Sequence, residues 1–395
     1  MSTTLEPARL DREQVPPPAA GGTAPVDGDA RRRSPLRIAM IAPPWFEVPP
    51  VGYGGTEAVV ASLVDGLVAL GHRVVLIASG PSRTRADSYH GVFARPPSAE
   101  LGSPLPEVIL AADAGRELEH LDVDLVHDHS LAGPLLARGR RTPTLATMHG
   151  TLEGPTGDYF ELLAGTIGLV AISDAQRAQR PALPWAGVVH NAIDVSTFPF
   201  RADKDDYLLW LGRYGPEKAP HLAIDAARAA GRRIVLAGKL REPSERRYFE
   251  EVISPRLGGD TDLIGEVDGA QKRALLAGAA ALLFPIQWSE PFGLVMVEAM
   301  ATGTPVVALR RGSVPEVIDH GRTGFVLDRI EEFPDAIDAA MRLDPADARR
   351  HVERNFDLPV MARGYEHLYR RVLAESGPRS TTDAALLHRH APAKA

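Results

Sequence analysis

The sequence predicts an α/β fold made of two successive, doubly wound halves. Short apolar runs typical of buried parallel strands recur along the chain, and helical segments separate them. The pattern starts at Leu36, stops at a polar break from Phe200 to Asp206, and restarts at Tyr207. Strands that alternate with helices form right-handed βαβ units and parallel sheets. Because such sheets bind ligands beyond the carboxyl ends of their strands, we expect a cleft between the two halves.

In the first half, a glycine-containing loop separates the first strand from the first helix. Gly54 and Gly55 end that loop, and the helix that follows carries apolar residues on one face until Gly71. Ser173 and Gln176 form a capping box, which marks Ser173 as a helix cap and not a nucleophile. The strands of this half are predicted at 36–42, 74–78, 125–127, 144–149 and 168–172.

The second half repeats the pattern, with a helix predicted at 220–230. Its strands are predicted at 207–212, 233–238, 281–285, 304–308 and 324–326. A helix near 359–376 follows the completed second half and is expected to cross back onto the first. The irregular stretch 80–106, rich in Pro, Arg and Ser, is predicted to form surface loops.

The chain therefore divides into two domains, one crossing helix and two tails. Both tails are rich in residues that do not build a packed core, which predicts disorder. The segments are a disordered tail at 1–35, the first domain at 36–200, the second domain at 201–357, the crossing helix at 358–375 and a disordered tail at 376–395.

Composition narrows the class of protein. The chain has 395 residues and a formal net charge of -7, so the basic footprint of a nucleic-acid binder is missing. It has no cysteine, which excludes disulfides and thiolate metal sites and fits a reducing, cytoplasmic compartment. No segment approaches the roughly 20 apolar residues of a membrane span. We expect an enzyme or binding protein without an integral membrane segment.

The most informative segment is 289–300. Glu298 stands there in a helical run that is otherwise almost entirely apolar, and a helix that is hydrophobic all round is buried. A buried carboxylate needs donors, which the run does not supply but a ligand with hydroxyls would. Glu290 precedes the Pro-Phe-Gly turn that opens the helix, and a helix N-terminus suits phosphate. Hydroxyl acceptors beside a phosphate seat predict a sugar nucleotide as the ligand.

These residues resemble the family 4 glycosyltransferases of the GT-B type, which transfer a sugar from a nucleotide donor with retention. The resemblance runs from about Leu36 to about Leu373 and implies two Rossmann-like domains facing a central cleft. Its motifs are Glu290-x7-Glu298, Gly303 to Val307, Gly212-Arg213 with Lys218, Asn191 to Asp194, and Gly54-Gly55. Ala192 and Ser313 replace glycines that are frequent in the family, and neither change removes a group that the mechanism needs.

The resemblance implies four catalytic residues. Arg213 and Lys218 would neutralise the donor diphosphate as the sugar leaves. Without the resemblance, two solvated loop cations would be the default interpretation. Glu290 would hold hydroxyls of the transferred sugar, although an acid in a first turn also suits the helix dipole. His149 would contact the donor sugar, although a lone histidine at a strand end is usually structural.

The resemblance also implies a donor-binding set. Glu298 would hold the ribose hydroxyls, the alternative being a buried ion pair with an Arg or Lys. Gly54 and Gly55 would let the backbone approach the phosphate or the sugar, the alternative being a tight turn without a ligand. The backbone N–H groups expected to face the sugar and the distal phosphate are those of Phe292, Gly293 and Leu294.

Two patterns invite a metal interpretation. His127 and His129 share one face of a strand, but no third and fourth ligand is evident. The sequence 122–124 resembles the Asp-x-Asp of metal-dependent glycosyltransferases, yet it precedes a strand, whereas ligands gather after strands. We interpret both as structural, with Asp128 or His129 still open to acceptor contact, and expect neither a metal nor another cofactor.

The resulting hypothesis is a metal-independent, retaining transfer of a hexose-type sugar from a UDP- or GDP-sugar to a hydroxyl of a small molecule, glycan or lipid. The second domain would bind the donor and the first the acceptor. The alternatives are a sugar-nucleotide epimerase, a disaccharide phosphorylase and a non-catalytic sugar-nucleotide scaffold. A membrane-associated enzyme with a lipid acceptor is a further alternative, although the first helix lacks a basic face.

Overall fold

The computed structural model describes residues 34–52 and 54–376. Apart from their innermost residues, the tails predicted at 1–35 and 376–395 lie outside the described part of the chain. No helix of that part is long and apolar enough to cross a membrane.

The first domain is a parallel sheet with helices packed on it. Its strands are β1 (Arg37–Ile41), β2 (Arg73–Ala78), β3 (Ser88–Gly91), β4 (Leu125–Asp128), β5 (Thr144–Thr147), β6 (Gly168–Ala171) and β7 (Trp185–Val188). Its helices are α1 (Gly55–Ala69), α2 (Pro104–Leu118), α3 (Pro155–Leu162) and α4 (Asp174–Gln179). The strand order is β3-β2-β1-β4-β5-β6-β7, and every neighbouring pair is parallel.

The second domain repeats this design. Its strands are β8 (Leu208–Arg213), β9 (Ile234–Lys239), β10 (Thr261–Gly265), β11 (Ala281–Phe284), β12 (Val306–Leu309) and β13 (Gly324–Leu327). Its helices are α5 (Pro220–Ala229), α6 (Pro243–Tyr248), α7 (Gly269–Gly278), α8 (Leu294–Ala301), α9 (Val314–Val317), α10 (Phe333–Ala340) and α11 (Pro345–Asn355). The order β10-β9-β8-β11-β12-β13 is again parallel throughout.

The predicted fold class is therefore confirmed, with one correction in the first domain. The stretch 80–106 is not made of loops alone, because it contains β3 and the start of α2. β3 reads Ser-Tyr-His-Gly, lies at the sheet edge and contains no buried residue, so it lacks the apolar pattern that predicts a strand. The sequence pattern also gave no sign of β10, another edge strand, whose last residues are exposed.

The last helix, α12 (Leu358–Glu375), packs on the first domain. The hydroxyl of Tyr369 lies 2.7 Å from Nδ1 of His127 on β4, and the hydroxyl of Tyr365 lies 3.0 Å from Oγ1 of Thr147 on β5. α12 also lies so close to α1 that a Cβ on Gly66 would be 2.8 Å from a side-chain carbon of α12. The described part of the chain thus passes from the second domain back to the first, where α12 packs in the core.

A carboxylate of the second domain joins the two domains. Glu316, on α9, accepts hydrogen bonds from the backbone N–H groups of Asp174 and Ala175 at 2.8 and 2.7 Å. These two N–H groups lie at the start of α4 in the first domain. The Ser173 side chain caps this helix, as predicted. His190 lies 3.1 Å from the same carboxylate. Glu316, on the second domain, therefore places a negative charge at the positive end of a helix of the first domain, where it stabilises the helix dipole.

Candidate active site

A cavity of about 260 Å³ lies between the two domains, and we call it the cleft cavity. The first domain contributes the loop before α1, including Gly54 and Gly55. The second domain contributes the carboxyl ends of β8 and β9, the start of α7 and one side of α8. Arg213, Leu294 and Glu298 line it from that side. The cavity thus lies beyond strand ends, where parallel α/β sheets bind ligands.

Glu298 is held by a lysine that the sequence pattern did not identify. Lys272 Nζ, from α7, lies 2.6 Å from Glu298 Oε1, and both side chains line the cleft cavity. Other residues of α8 are packed in the core, with Met296, Val297 and Ala299 inaccessible to solvent. A carboxylate has about four lone-pair sites, so this ion pair leaves acceptor capacity for hydroxyl groups of a ligand.

Glu290 forms the second carboxylate–lysine pair. Its Oε2 lies 2.5 Å from Lys218 Nζ and accepts a hydrogen bond from Trp288 Nε1 at 3.0 Å. Gly312 has a positive φ of 51°, and a Cβ there would lie 2.2 Å from the carbonyl oxygen of Glu290. Ser313 donates its backbone N–H to that oxygen at 2.9 Å. The Gly-Ser variant of the family's glycine pair therefore still holds the Glu290 loop in place.

Arg213 stands at the end of β8 beside two carboxylates. Its Nη2 lies 3.2 Å from Glu217, and its Nη1 lies 3.6 Å from Glu245 Oε1. Glu245 is buried, and its other oxygen accepts two backbone N–H groups at the start of α6. These carboxylates orient the guanidinium along the wall of the cleft cavity, where its remaining donors can face a ligand.

The start of α8 offers free backbone donors. Within the described chain, the N–H groups of Phe292, Gly293 and Leu294 donate to no protein acceptor. Phe292 is buried, and Gly293 is the residue before the helix, with φ +77°. Leu294 lines the cleft cavity, and its Cδ1 lies 3.9 Å from the position of a Cβ on Gly55. The helix end and the first glycine loop therefore face each other across the cleft.

A second cavity, of about 280 Å³, lies on the first-domain side and shares Gly54 and Gly55 with the first. We call it the histidine cavity because His129 and His149 line it. Burial lowers the pKa of His149 to about 4, so its imidazole is neutral at physiological pH. The wall also holds Glu57, whose pKa burial raises to about 7. This cavity combines a neutral imidazole with a carboxyl group that is easily protonated.

His127 on β4 and His129 just after it are both hydrogen-bonded to neighbouring side chains. His127 Nε2 lies 2.7 Å from Thr147 Oγ1, and His129 Nδ1 lies 2.9 Å from His149 Nε2. Asp124 accepts the backbone N–H of Arg37 at 2.8 Å, which agrees with its structural interpretation. Among the residues that the structure describes, no group of three or more His, Asp or Glu side chains is arranged to hold a metal ion.

The predicted residues fall into three neighbouring places. Gly54, Gly55, Arg213, Leu294 and Glu298 share the cleft cavity, and His149 lines the histidine cavity. The Lys218–Glu290 pair and the turn at Phe292 and Gly293 lie outside the walls of both cavities, at the start of α8. The residue that the sequence pattern missed is Lys272. The one pattern near it in the sequence is the capping box of Asp268 and Gln271, which predicts the start of the helix that carries Lys272.

Comparison with known proteins now identifies the class. The family described as Glycosyltransferase Family 4 matches residues 53–214, and the one described as Glycosyl transferases group 1 matches residues 196–356. The two matched segments cover the elements that form the cleft cavity. The chain is a family 4 glycosyltransferase with the GT-B fold.

Individual relatives agree with this assignment. The glycogen synthase of Mycobacterium tuberculosis is 26% identical over 90% of this chain and 99% of its own length. A phosphatidyl-myo-inositol mannosyltransferase of the same species is 28% identical over 74% of this chain and 82% of its own. The crystal structure of AviGT4, a glycosyltransferase involved in avilamycin A biosynthesis, has a TM-score of 0.68 and 29% identity and covers 86% of this chain and 98% of its own.

Proposed function

We propose that the protein transfers a hexose-type sugar from a nucleoside-diphosphate sugar to a hydroxyl acceptor, with retention and without a metal. The observation that carries the proposal is the pair of lysine-bound carboxylates, Glu290 and Glu298, on either side of a helix start whose N–H groups are free. In this proposal Glu298 accepts from the ribose and Glu290 from the transferred sugar. Retention itself rests on the family resemblance of the Glu290-x7-Glu298 motif.

In the proposed mechanism the donor's negative charge is met by protein cations and dipoles. Arg213 and Lys218 contact the diphosphate, and the start of α8 adds backbone N–H groups where charge develops on the leaving phosphate. These groups would take the place of a divalent ion. The departing phosphate oxygen accepts the proton of the acceptor hydroxyl as the new glycosidic bond forms on the same face of the sugar. No protein nucleophile takes part in this sequence.

The acceptor is proposed to enter from the first domain. The histidine cavity opens beside Gly54 and Gly55, which also border the cleft cavity, so an acceptor there lies next to the donor. His149, neutral because of burial, would then donate or accept a hydrogen bond to the transferred sugar. The names of two relatives mention glycogen and phosphatidyl-myo-inositol, which both carry hydroxyl groups, and this supports a hydroxyl acceptor without choosing between a glycan and a lipid.

A thermal-shift panel of UDP-, GDP- and ADP-sugars, with and without EDTA, tests the donor proposal. A ligand that binds only the folded state raises the melting temperature by mass action, so one donor should raise it by a few degrees whether or not EDTA is present. Glu298→Ala should abolish the shift. Glu331→Ala, an exposed acid of the same domain, is the matched control and should keep it. A shift that requires a divalent ion contradicts the metal-independent site.

Retention has its own measurement. The anomeric configuration of the first product formed, read from the proton NMR coupling of its anomeric hydrogen, should equal that of the donor sugar. An inverted product would contradict the front-face mechanism but not the proposed donor site. If the donor binds but is neither transferred nor hydrolysed with any acceptor of the panel, the protein is a sugar-nucleotide scaffold.

A further inference from the structure

The wall of the histidine cavity carries two acids and, among its described residues, no arginine or lysine. The acids are Glu57, at the start of α1, and Glu107, on α2, and both are buried. Burial lowers the pKa of His129 and of His149, so neither imidazole of this wall is charged at physiological pH. The described side chains of the cavity therefore carry a negative charge or none.

The neighbouring cleft cavity has a different set of charges. Its wall includes three basic side chains, which are Arg213, Lys239 and Lys272. Three acids balance them, and Glu298 is one of these. A diphosphate can therefore find cationic donors in the cleft cavity, whereas an anion in the histidine cavity finds none within the described wall. The two cavities suit ligands of different charge.

The positive end of α1 also faces the histidine cavity, but Glu57 already occupies it. Glu57 lies in the first turn of this helix, and its carboxylate accepts its own backbone N–H and that of Phe46. Its Oε2 lies 3.3 Å from the position of a Cβ on Gly54, the residue before the helix. An anionic ligand would therefore meet a carboxylate at the place where the helix dipole would otherwise stabilise it.

Glu107 fixes another part of the wall. Its Oε2 accepts the backbone N–H groups of Leu131 and Ala132 at 3.0 and 3.3 Å, and the side chain of Trp45 donates to the same carboxyl group. Trp45 and Phe46 both line the cavity and are half-buried. The cavity thus combines aromatic surface with a few fixed polar groups, which is the usual composition of a site for a small organic molecule.

We propose that the acceptor places an uncharged, hydroxyl-bearing group in the histidine cavity, and that the cavity discriminates against acceptors with a phosphate or carboxylate at that end. The inference rests on the proposed function, in which this cavity takes the acceptor. Glu57 receives a hydroxyl of the acceptor on the lone pairs that its two backbone donors leave free. The volume of about 280 Å³ is near the lower end of the range for small-molecule sites, roughly 300–1,000 Å³, and limits this group to about one sugar ring.

Desolvation and repulsion together explain the discrimination. Burial, with a smaller contribution from the charge of Glu107, raises the pKa of Glu57 to about 7. A hydroxyl fits Glu57 in either protonation state, because it can donate to a carboxylate or accept from a carboxyl group. A phosphate would lose its water beside two buried acids without gaining a cation, or would require both acids to stay protonated. Both routes weaken the binding of an anion relative to its neutral counterpart.

Matched pairs of soluble acceptors test the inference on the wild-type protein. The probes are glucose, myo-inositol and glycerol, each compared with its own monophosphate, and the donor is the nucleotide sugar that raises the melting temperature. Mass spectrometry measures the glycosylated product. The neutral member of a pair should be used with a kcat/KM at least about tenfold higher than its monophosphate, because like charges brought together are strongly disfavoured.

Glu57→Gln removes the charge and keeps the size of the side chain. It should lower kcat/KM for the neutral acceptor about three- to tenfold, leave the KM of the donor unchanged, and reduce the preference over the monophosphate to about threefold or less. Glu119→Gln changes an exposed acid of the same domain outside this wall, and this matched control should keep the wild-type preference.

Three results would overturn the inference. They are a wild type that uses a monophosphate as well as its neutral partner, a folded Glu57→Gln variant that keeps the full preference, and a donor that binds but is transferred to no neutral probe. In each case the donor still binds, so the donor site of the proposed function stands. A protein that binds no nucleotide sugar contradicts the proposed function itself, and the two failures are therefore distinguishable.

Discussion

Lys272→Met is the most direct test of how the cleft cavity holds a nucleotide. The substitution keeps the length and the apolar stem of the side chain but removes the ammonium group that lies 2.6 Å from Glu298 Oε1. Glu298 would then stand in the cavity wall as a mostly buried carboxylate without its cation. Because the proposed ligand carries a diphosphate, the uncompensated carboxylate would also repel it.

The structure sets the size of the effect. The Glu298 side chain is 12% exposed and that of Lys272 is 29% exposed, so the pair is screened less than a surface pair but more than a fully buried one. A hydrogen bond to a charged group contributes about 1.5–3 kcal/mol, and partial exposure favours the low end of this range. We therefore expect nucleoside-diphosphate affinity to fall about tenfold, equivalent to about 1.4 kcal/mol.

Isothermal titration of UDP, GDP and ADP measures this loss, and the 2′-deoxy nucleotides show where it arises. If Lys272 orients Glu298 toward the ribose, the variant should lose more affinity for the ribonucleotide than for its 2′-deoxy form. Arg273→Met removes one positive charge from the same helix without contact to Glu298 and is the matched control. A folded Lys272→Met protein that binds all ribonucleotides within about twofold of the wild type would refute the reasoning.

Four further outcomes are expected. Glu290→Ala should lower kcat/KM about 10- to 100-fold while UDP affinity stays constant, because its partner in the proposal is the sugar. Gly66→Ala should lower the melting temperature by a few degrees through overpacking against α12, whereas Gly259→Ala, with open space around it, should not. Burial raises the pKa of Asp128 to about 7, so stability is lost as pH rises toward and through that value, and Asp128→Asn should flatten this decline in melting temperature. UDP affinity should change less than about threefold between roughly 50 and 500 mM sodium chloride.

The sequence predicted most of the fold because the central strands of both sheets are buried on both faces and therefore appear as continuous apolar runs. Runs such as 281–284 and 306–309 are wholly apolar and inaccessible, so the sequence pattern marks them directly. Two of the edge strands lack this signal. β3 and β10 pair on one side only, and their polar or exposed residues look like loop sequence. Local patterning therefore predicted the centre of each sheet and missed part of its margin.

The candidate site divides in the same way. Glu290, Glu298 and the turn between them lie within one short segment, so their spacing alone predicts two carboxylates around a helix start. Lys272 lies 26 positions before Glu298, on a different helix, and only the folded chain shows that the two meet. The same holds for Glu316, which caps a helix of the other domain. Residues that meet only through tertiary packing leave no pattern in the local sequence.

The charges around the cleft indicate how the site can bind an anion. Both carboxylates of the family motif are matched by a lysine, and Arg213 stands between two glutamates, so the side chains around the site carry no excess positive charge. Long-range attraction of a diphosphate is therefore small, and binding must come from short-range contacts. An ammonium group has three donors, so Lys218 can keep Glu290 and still donate to a phosphate oxygen. The free backbone N–H groups at the start of α8 add hydrogen-bond donors without adding a charged side chain. Contacts of this kind are screened little by salt, which is the physical reason to expect a donor affinity that depends weakly on ionic strength.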